Sequence, residues 1–87
     1  QFAALQAELL QSAWQEVRPG GKLLYITCSV MPAENEDVVS DFVEITNNAR
    51  VIPLSETIGI EKKVGRQTLP SASGGDGLYY CMLEKAV

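Results

Sequence analysis

The chain of 87 residues has no histidine and only two cysteines, Cys28 and Cys81. The absence of histidine excludes Ser-His-Asp and Cys-His arrangements built from this chain alone, and it excludes every histidine-ligated metal site. Two cysteines this far apart form neither a C-x-x-C zinc motif nor a disulfide framework. We therefore expect no metal site, and the unpaired cysteines favour a reducing, cytoplasmic environment.

Long apolar runs and an excess of basic residues are also absent. No run approaches the roughly 18 apolar residues that span a bilayer, and no signal-peptide pattern is present, so we expect no membrane partner. Seven Lys+Arg against eleven Asp+Glu give a net charge of −4. This balance argues against a broad phosphate-binding face on this segment, but it does not exclude a nucleic-acid role for a larger parent protein.

The length limits the core that the chain is able to build. Hydrophobic residues make up 46% and charged residues 21%, which is ordinary for a globular protein. A chain this short buries only somewhat more than roughly 60% of its unfolded surface, which leaves a small stability margin. The sequence also begins at Gln1, inside a predicted helix and without an initiator Met. We therefore expect residues 1–87 to form a single partial domain of something larger.

Hydrophobic periodicity predicts a helix over residues 1–17, ended by a Pro-Gly-Gly sequence. Its expected apolar stripe is Phe2, Leu5, Leu9, Ala13 and Val17, with Leu10 alongside and Trp14 near the rim. A strand over residues 22–28 follows. Because its apolar residues are continuous rather than alternating, we expect helices on both faces of this strand, as in a parallel sheet.

The second half continues the alternation of helix and strand. A helix begins near Glu34 and ends at 47–48, with the apolar stripe Val38, Val39, Phe42 and Val43. Residues 51–54 are extended, a partial strand lies near 66–69, a turn-rich stretch covers 70–77, and a last apolar strand covers 78–83. This order predicts an α/β fold of which the chain supplies about half a sheet.

Cys28 is the candidate catalytic residue. It lies at the carboxyl end of the first predicted strand, and ligands of open α/β sheets bind outside the carboxyl ends of the strands. The alternative is a buried structural cysteine, since free Cys is among the most buried residue types. Cys81 lies in the middle of the last strand, where packing is the expected role. Residues 34–36 are expected to act as helix-start residues, and the glycine-rich residues 74–77 precede a strand rather than a helix, which argues against a phosphate loop.

Several segments resemble RNA cytosine-C5 methyltransferases. Residues 19–30, PGGKLLYITCSV, followed by Pro32 and the Glu-Asn-Glu of 34–36, are similar to the family pattern KPGG-x-L-x-Y-x-TCS followed by P-x-EN. Residues 67–70 and 75–80 are similar to its ending, Q-x-LP and GDGFF, with Leu-Tyr in place of two Phe. The similarity covers nearly the whole chain and is greatest to the RsmB, Sun and Fmu type, which acts on small-subunit ribosomal RNA.

The resemblance implies a fold, a cofactor and a role for Cys28. The fold would be the C-terminal part of a Rossmann-like sheet that binds S-adenosylmethionine, with its last strand antiparallel to the others. Cys28 corresponds to the family nucleophile, whose thiolate adds to C6 of cytosine so that C5 takes the methyl group. The cytosine would have to leave any base stack to reach the sulfur.

The family's remaining motifs are absent from this chain. They are the glycine-rich cofactor loop, the acidic residue that holds the ribose, the Asp-Ala-Pro-Cys-Ser-Gly motif, and the N-terminal RNA-binding domain. We therefore expect S-adenosylmethionine to be bound mainly by the missing N-terminal part, ribosomal RNA to be bound through the full-length parent, and this chain alone to be inactive. We also expect the isolated chain either to self-associate through residues 22–28, which would lie beside a missing strand, or to be only marginally stable.

Two other interpretations remain open at the level of sequence. The first is a small α/β interaction module in which Cys28 is structural. The second is a different Rossmann-like methyltransferase, because Pro-Gly-Gly before such a strand is common among these enzymes.

Overall fold

The computed structural model describes residues 2–28, 31–68 and 77–87. The two helices and five strands of this part are α1 (Phe2–Gln15), β1 (Lys22–Thr27), α2 (Glu36–Ile45), β2 (Ala49–Ile52), β3 (Ile60–Glu61), β4 (Arg66–Gln67) and β5 (Tyr79–Lys85). A 3₁₀ turn at Pro32–Glu34 precedes α2. The order confirms the predicted α/β alternation. The predicted turn-rich stretch lies, except for Gly77, outside the described residues.

The central strand of the sheet is β5. It pairs antiparallel with β1 over six residue pairs, from Lys22–Glu84 to Thr27–Tyr79. Its other edge pairs antiparallel with β2 and then with β4, and β3 pairs with β4. Because β1 and β2 both run opposite to β5, they run parallel to each other. The last strand is therefore antiparallel to its neighbours, as the resemblance implied.

One face of this sheet carries the core. Tyr79, Cys81 and Leu83 alternate along β5 and are fully buried, as expected for the inward residues of a strand. They pack in one cluster with residues of both helices, namely Leu10, Trp14, Val38, Val39 and Phe42. The predicted apolar stripe of α2 is thus confirmed. Both helices lie against the same face.

The expectation that helices cover both faces of β1 is not met within the described residues. Leu24 and Ile26, on the second face, are 45% and 48% exposed. Leu23 and Tyr25 alternate with them and are half-buried against the core. The apolar run of β1 therefore has one covered side and one open side.

The predicted core face of α1 is wrong. Leu5 and Leu9 are 51% and 59% exposed, whereas Leu10 and Trp14 are buried. The helix has two apolar stripes, and the one that meets the sheet is the one whose Trp14 ring packs edge-on against Phe42 at 5.5 Å between centroids. The side chain of Phe2, also assigned to the stripe, lies outside the described part.

The end of α1 is fixed to the end of β5. The ammonium of Lys85 donates hydrogen bonds to the carbonyls of Trp14 (3.1 Å) and Val17 (2.9 Å) at the end of the helix, and the Trp14 carbonyl also accepts from the Val17 N–H at 3.1 Å. Gly20 has φ of 83°, a conformation that favours glycine, and its N–H donates to the Lys85 carbonyl at 2.8 Å. These contacts determine where β1 begins.

We propose that the isolated chain self-associates through β1. This strand is at the edge of the sheet, and Lys22 is its only charged residue. Uncharged, unprotected edges tend to pair with other chains. Sedimentation velocity over a range of concentrations is expected to show species larger than the monomer, and Ile26→Lys is expected to reduce them by placing charge beside the edge.

The matched control for this prediction is Ile45→Lys. Ile45 is 71% exposed on α2, away from β1, so its replacement should leave the larger species unchanged. A wild-type chain that sediments as a single monomer at all concentrations would contradict the proposal, as would an equal effect of both substitutions.

Candidate active site

Cys28 follows β1 directly, where the pairing with β5 ends, and it is exposed. The predicted position at the carboxyl end of the strand is confirmed, and the alternative of a buried structural cysteine does not fit this exposure. The neighbouring Ser29 lies outside the described residues. An exposed thiol at this end of a strand is available to a ligand bound in the crevice of an α/β sheet.

An open cavity of about 490 Å³ lies between α1 and β1 and includes Cys28 in its wall. Most of the wall is apolar, and the helix contributes the otherwise exposed Leu9. The polar members are Gln6, Tyr25, Thr27 and Cys28 itself, and none of the described residues in the wall is charged. The cavity therefore suits a neutral, flat group rather than an ion.

Tyr25 closes the inner side of this cavity and is held by two contacts. Its hydroxyl lies against Gln6 Oε1 and within 2.9 Å of the Glu34 carbonyl oxygen. Burial, followed by the nearby Glu34 carboxylate, raises the pKa of Tyr25 to about 12. The phenol therefore stays protonated at neutral pH, so it acts as a hydrogen-bond donor and not as a base.

A buried hydrogen-bonded network lies beneath the end of β1. Thr27 Oγ1 donates to Asn35 Oδ1, Asn35 Nδ2 donates to Gln67 Oε1 at 3.0 Å, and Gln67 Nε2 donates to the Thr68 carbonyl at 2.9 Å. Asn35 is 2% and Gln67 3% exposed. Leaving a buried amide unpaired costs about 1–3 kcal/mol, so these hydrogen bonds offset the cost of burying the two amides.

The sequence did not single out Asn35 or Gln67 as site residues. We expected residues 34–36 to act at the start of α2, and Asn35 is indeed its N-cap position, but its side chain makes no capping bond there. The available signal was that both residues lie in the segments that resemble the methyltransferase family. Their partners could not be inferred, because 32 positions separate the two amides.

Cys81 differs from Cys28 in its exposure to solvent. It is fully buried in the core. Burial raises its pKa to about 11, although a hydrogen bond with Tyr79 acts in the opposite direction. The predicted packing role of Cys81 is confirmed.

The described ranges (2–28, 31–68 and 77–87) contain no cluster of three or more His, Cys, Asp or Glu side chains arranged to hold a metal ion. Neither helix there is long and apolar enough to cross a membrane.

Comparison with known proteins gives consistent matches. A family model described as 16S rRNA methyltransferase RsmB/F matches residues 1–84. Ribosomal RNA small subunit methyltransferase B of Pasteurella multocida (strain Pm70) is 45% identical over 86 residues, which are 99% of this chain and 19% of that protein. The protein of the same name from Enterobacter sp. (strain 638) is 42% identical over 85 residues, with coverages of 98% and 19%.

A solved structure shows the same fold. The crystal structure of a methyltransferase homolog protein from Pyrococcus horikoshii has a TM-score of 0.83 and 25% identity, and the match covers 95% of this chain and 30% of that one. Of the two curated relatives named above, by contrast, the chain spans 19% of the length.

The two thiols are expected to react at very different rates. At about pH 8, iodoacetamide should alkylate Cys81 at least about a hundredfold more slowly than Cys28, because a thiol with a pKa near 11 is almost wholly protonated there and is also inaccessible. Peptide mapping by mass spectrometry over time measures both rates.

Two further conditions complete this experiment. Cys28→Ser should remove the fast phase, and denaturant should bring Cys81 to the rate of an ordinary thiol. Equal rates for both cysteines in the folded chain would contradict the assignment of Cys28 as the accessible thiol.

Proposed function

This chain belongs to the RsmB/F family of 16S rRNA methyltransferases, and on that premise we propose that it forms the C-terminal part of a ribosomal RNA cytosine-C5 methyltransferase with Cys28 as its nucleophile. The observation that carries the proposal is the exposed Cys28 thiol at the end of β1, in the wall of an open cavity. The cavity has an apolar, uncharged lining, which suits the flat ring of a neutral pyrimidine.

The proposed reaction needs a covalent step because C5 of a neutral cytosine is a poor nucleophile. The Cys28 thiolate adds its electron pair to C6, so the S–C6 bond forms and electron density shifts to C5. After C5 has been methylated, its proton leaves to a base, the ring regains its double bond, and the S–C6 bond breaks. The electron pair of the S–C6 bond returns to sulfur, which regenerates the thiolate, and one difficult substitution becomes two easier steps.

S-adenosylmethionine is the methyl donor that the methyltransferase family implies, but the residues present do not form a site for it. Within the part of the chain that the structure describes, the cavity beside Cys28 has no charged residue in its wall, whereas an amino-acid moiety and a ribose require charged or strongly polar partners. We therefore assign no cofactor-binding residue to this chain. Donor binding belongs to the part of the relatives' length that this chain does not span, and we propose that residues 1–87 alone are inactive.

Ribosomal RNA is the proposed substrate, recognised through the full-length protein. The net charge of −4 gives this chain little attraction for phosphates, so basic surface must come from elsewhere. The target cytosine must also leave its base stack to reach a thiol at the end of a strand. Nucleotides in single-stranded or splayed regions of RNA do this readily. Action on ribosomal RNA places the proposed enzyme in the cytoplasm.

Covalent trapping tests the nucleophile directly. Target RNA containing 5-fluorocytosine is expected to form a denaturant-resistant adduct with the full-length protein, because fluorine at C5 cannot leave as a proton and the S–C6 bond cannot break. Cys28→Ser should abolish the adduct, as judged by a shifted band on a denaturing gel and by peptide mapping.

The control is Cys81→Ala, which removes the other thiol from the core and should still form the adduct. Residues 1–87 alone should form none. An adduct that persists in Cys28→Ser, or wild-type protein that forms no adduct while methylating RNA, would overturn the assignment. The latter result would favour a different class of methyl transfer.

A further inference from the structure

We propose that Asn35 and Gln67 are positioning residues for Cys28, in that their buried amides hold Thr27 and thereby fix the direction of the adjacent thiol. This inference rests on the proposed function of Cys28. The two residues do not touch the thiol's exposed side of the strand; they act through Thr27, the last residue of β1.

The backbone at the end of β1 determines where Cys28 lies. The pairing of β1 with β5 ends at Thr27 opposite Tyr79, so Cys28 is the first residue beyond the ladder. Neighbouring side chains along a strand point to opposite faces. Thr27 is half-buried and points to the network, while Cys28 is exposed. Thr27 and Cys28 both line the open cavity, and holding the Thr27 side chain in the network therefore fixes the backbone from which the Cys28 thiol projects.

The Asn35 side chain does not cap its own helix. Asparagine at an N-cap position normally accepts hydrogen bonds from the first amides of its own helix. The Asn35 backbone does start α2, since its carbonyl accepts from the Val39 N–H at 3.1 Å. Its side chain, however, makes no cap bond and instead joins Thr27 to Gln67. The local demand of the helix thus does not explain why this side chain is buried where it is.

The far end of the network is formed by Gln67 and Thr68. Gln67 donates to the carbonyl of Thr68. The Thr68 N–H and hydroxyl donate to the Leu78 carbonyl at 2.8 and 3.2 Å, and the Leu78 N–H donates back to that hydroxyl at 2.8 Å. The network therefore connects the end of β1 to the start of β5 through β4. The end of β1, the start of α2, the end of β4 and the start of β5 therefore meet next to Cys28, the proposed nucleophile.

The experiment breaks the network at both ends in the full-length protein, with substitutions that keep side-chain volume. Thr27→Val removes the hydroxyl that donates to Asn35, and Gln67→Met removes the amide at the far end. Each is expected to lower kcat for methyl transfer by about 10- to 100-fold, the loss typical of a misplaced reacting group. For Gln67→Met the KM for RNA should change by less than about threefold, because Gln67 is buried and does not line the cavity, whereas Thr27 lies in its wall.

Three readouts separate positioning from a general loss of structure. The rate of Cys28 alkylation by iodoacetamide should stay within about twofold of wild type, since a small reagent needs exposure and not aim. Cys81 should remain protected, which reports an intact core. Thr27→Ser, which restores the hydroxyl, should recover most of the lost kcat. Thr57→Val, in the exposed loop before β3, is the matched control and should behave like wild type.

The outcomes are distinguishable from those that test the proposed function. If wild-type protein forms no Cys28 adduct with fluorinated RNA, the proposed function fails. If wild-type protein forms the adduct but Thr27→Val and Gln67→Met keep full kcat, this inference fails while the function stands. A loss of kcat in Thr27→Val that comes with exposure of Cys81 also overturns it, because the network would then serve only the fold.

Discussion

The pairing of β1 with β5 is the constraint on which the rest of the structure depends. Six residue pairs hold the two strands antiparallel and fix which side chains face the helices. With this register, Tyr79, Cys81 and Leu83 fall on the covered face and are fully buried. The same register ends the ladder at Thr27. Cys28 therefore emerges where the sheet stops, and a shift of one residue would turn its side chain to the opposite face.

The sheet has one covered and one open face, and this asymmetry explains the two apolar stripes of α1. Leu10 and Trp14 meet the covered face, while Leu5 and Leu9 remain exposed, and Leu9 lines the same cavity as Leu24 and Ile26. Contiguous exposed apolar surface usually marks a site where something else binds. The curated relatives are about five times as long as this chain, so their additional residues have the length needed to cover such a face.

How far the sequence predicts this fold depends on whether the signal is local. The core stripe of α2 follows from helical periodicity, and the strands β1 and β5 follow from apolar runs. The position of Cys28 follows from a predicted strand end and from the motif around it. The core face of α1 was predicted wrongly because two stripes compete and only the partner decides between them. The strand Ile60–Glu61 has no periodic pattern and exists only through its pairing with β4. The Asn35–Gln67 contact joins residues far apart in sequence, which no local pattern indicates.

The hydrogen-bonded network next to Cys28 is better explained by the orientation that it imposes than by a contribution to the stability of the fold. Two well-packed apolar side chains would avoid the desolvation of two amides, and replacing buried polar pairs in this way is often neutral or stabilising. Amide hydrogen bonds, however, are directional, so they admit one arrangement where apolar contacts admit several. Asn35 and Gln67 are buried next to the one strand end that carries an exposed thiol. On the proposal that Cys28 is the nucleophile, a directional contact at that point would fix the thiol's orientation, which a reacting sulfur needs more than its surroundings need additional stability.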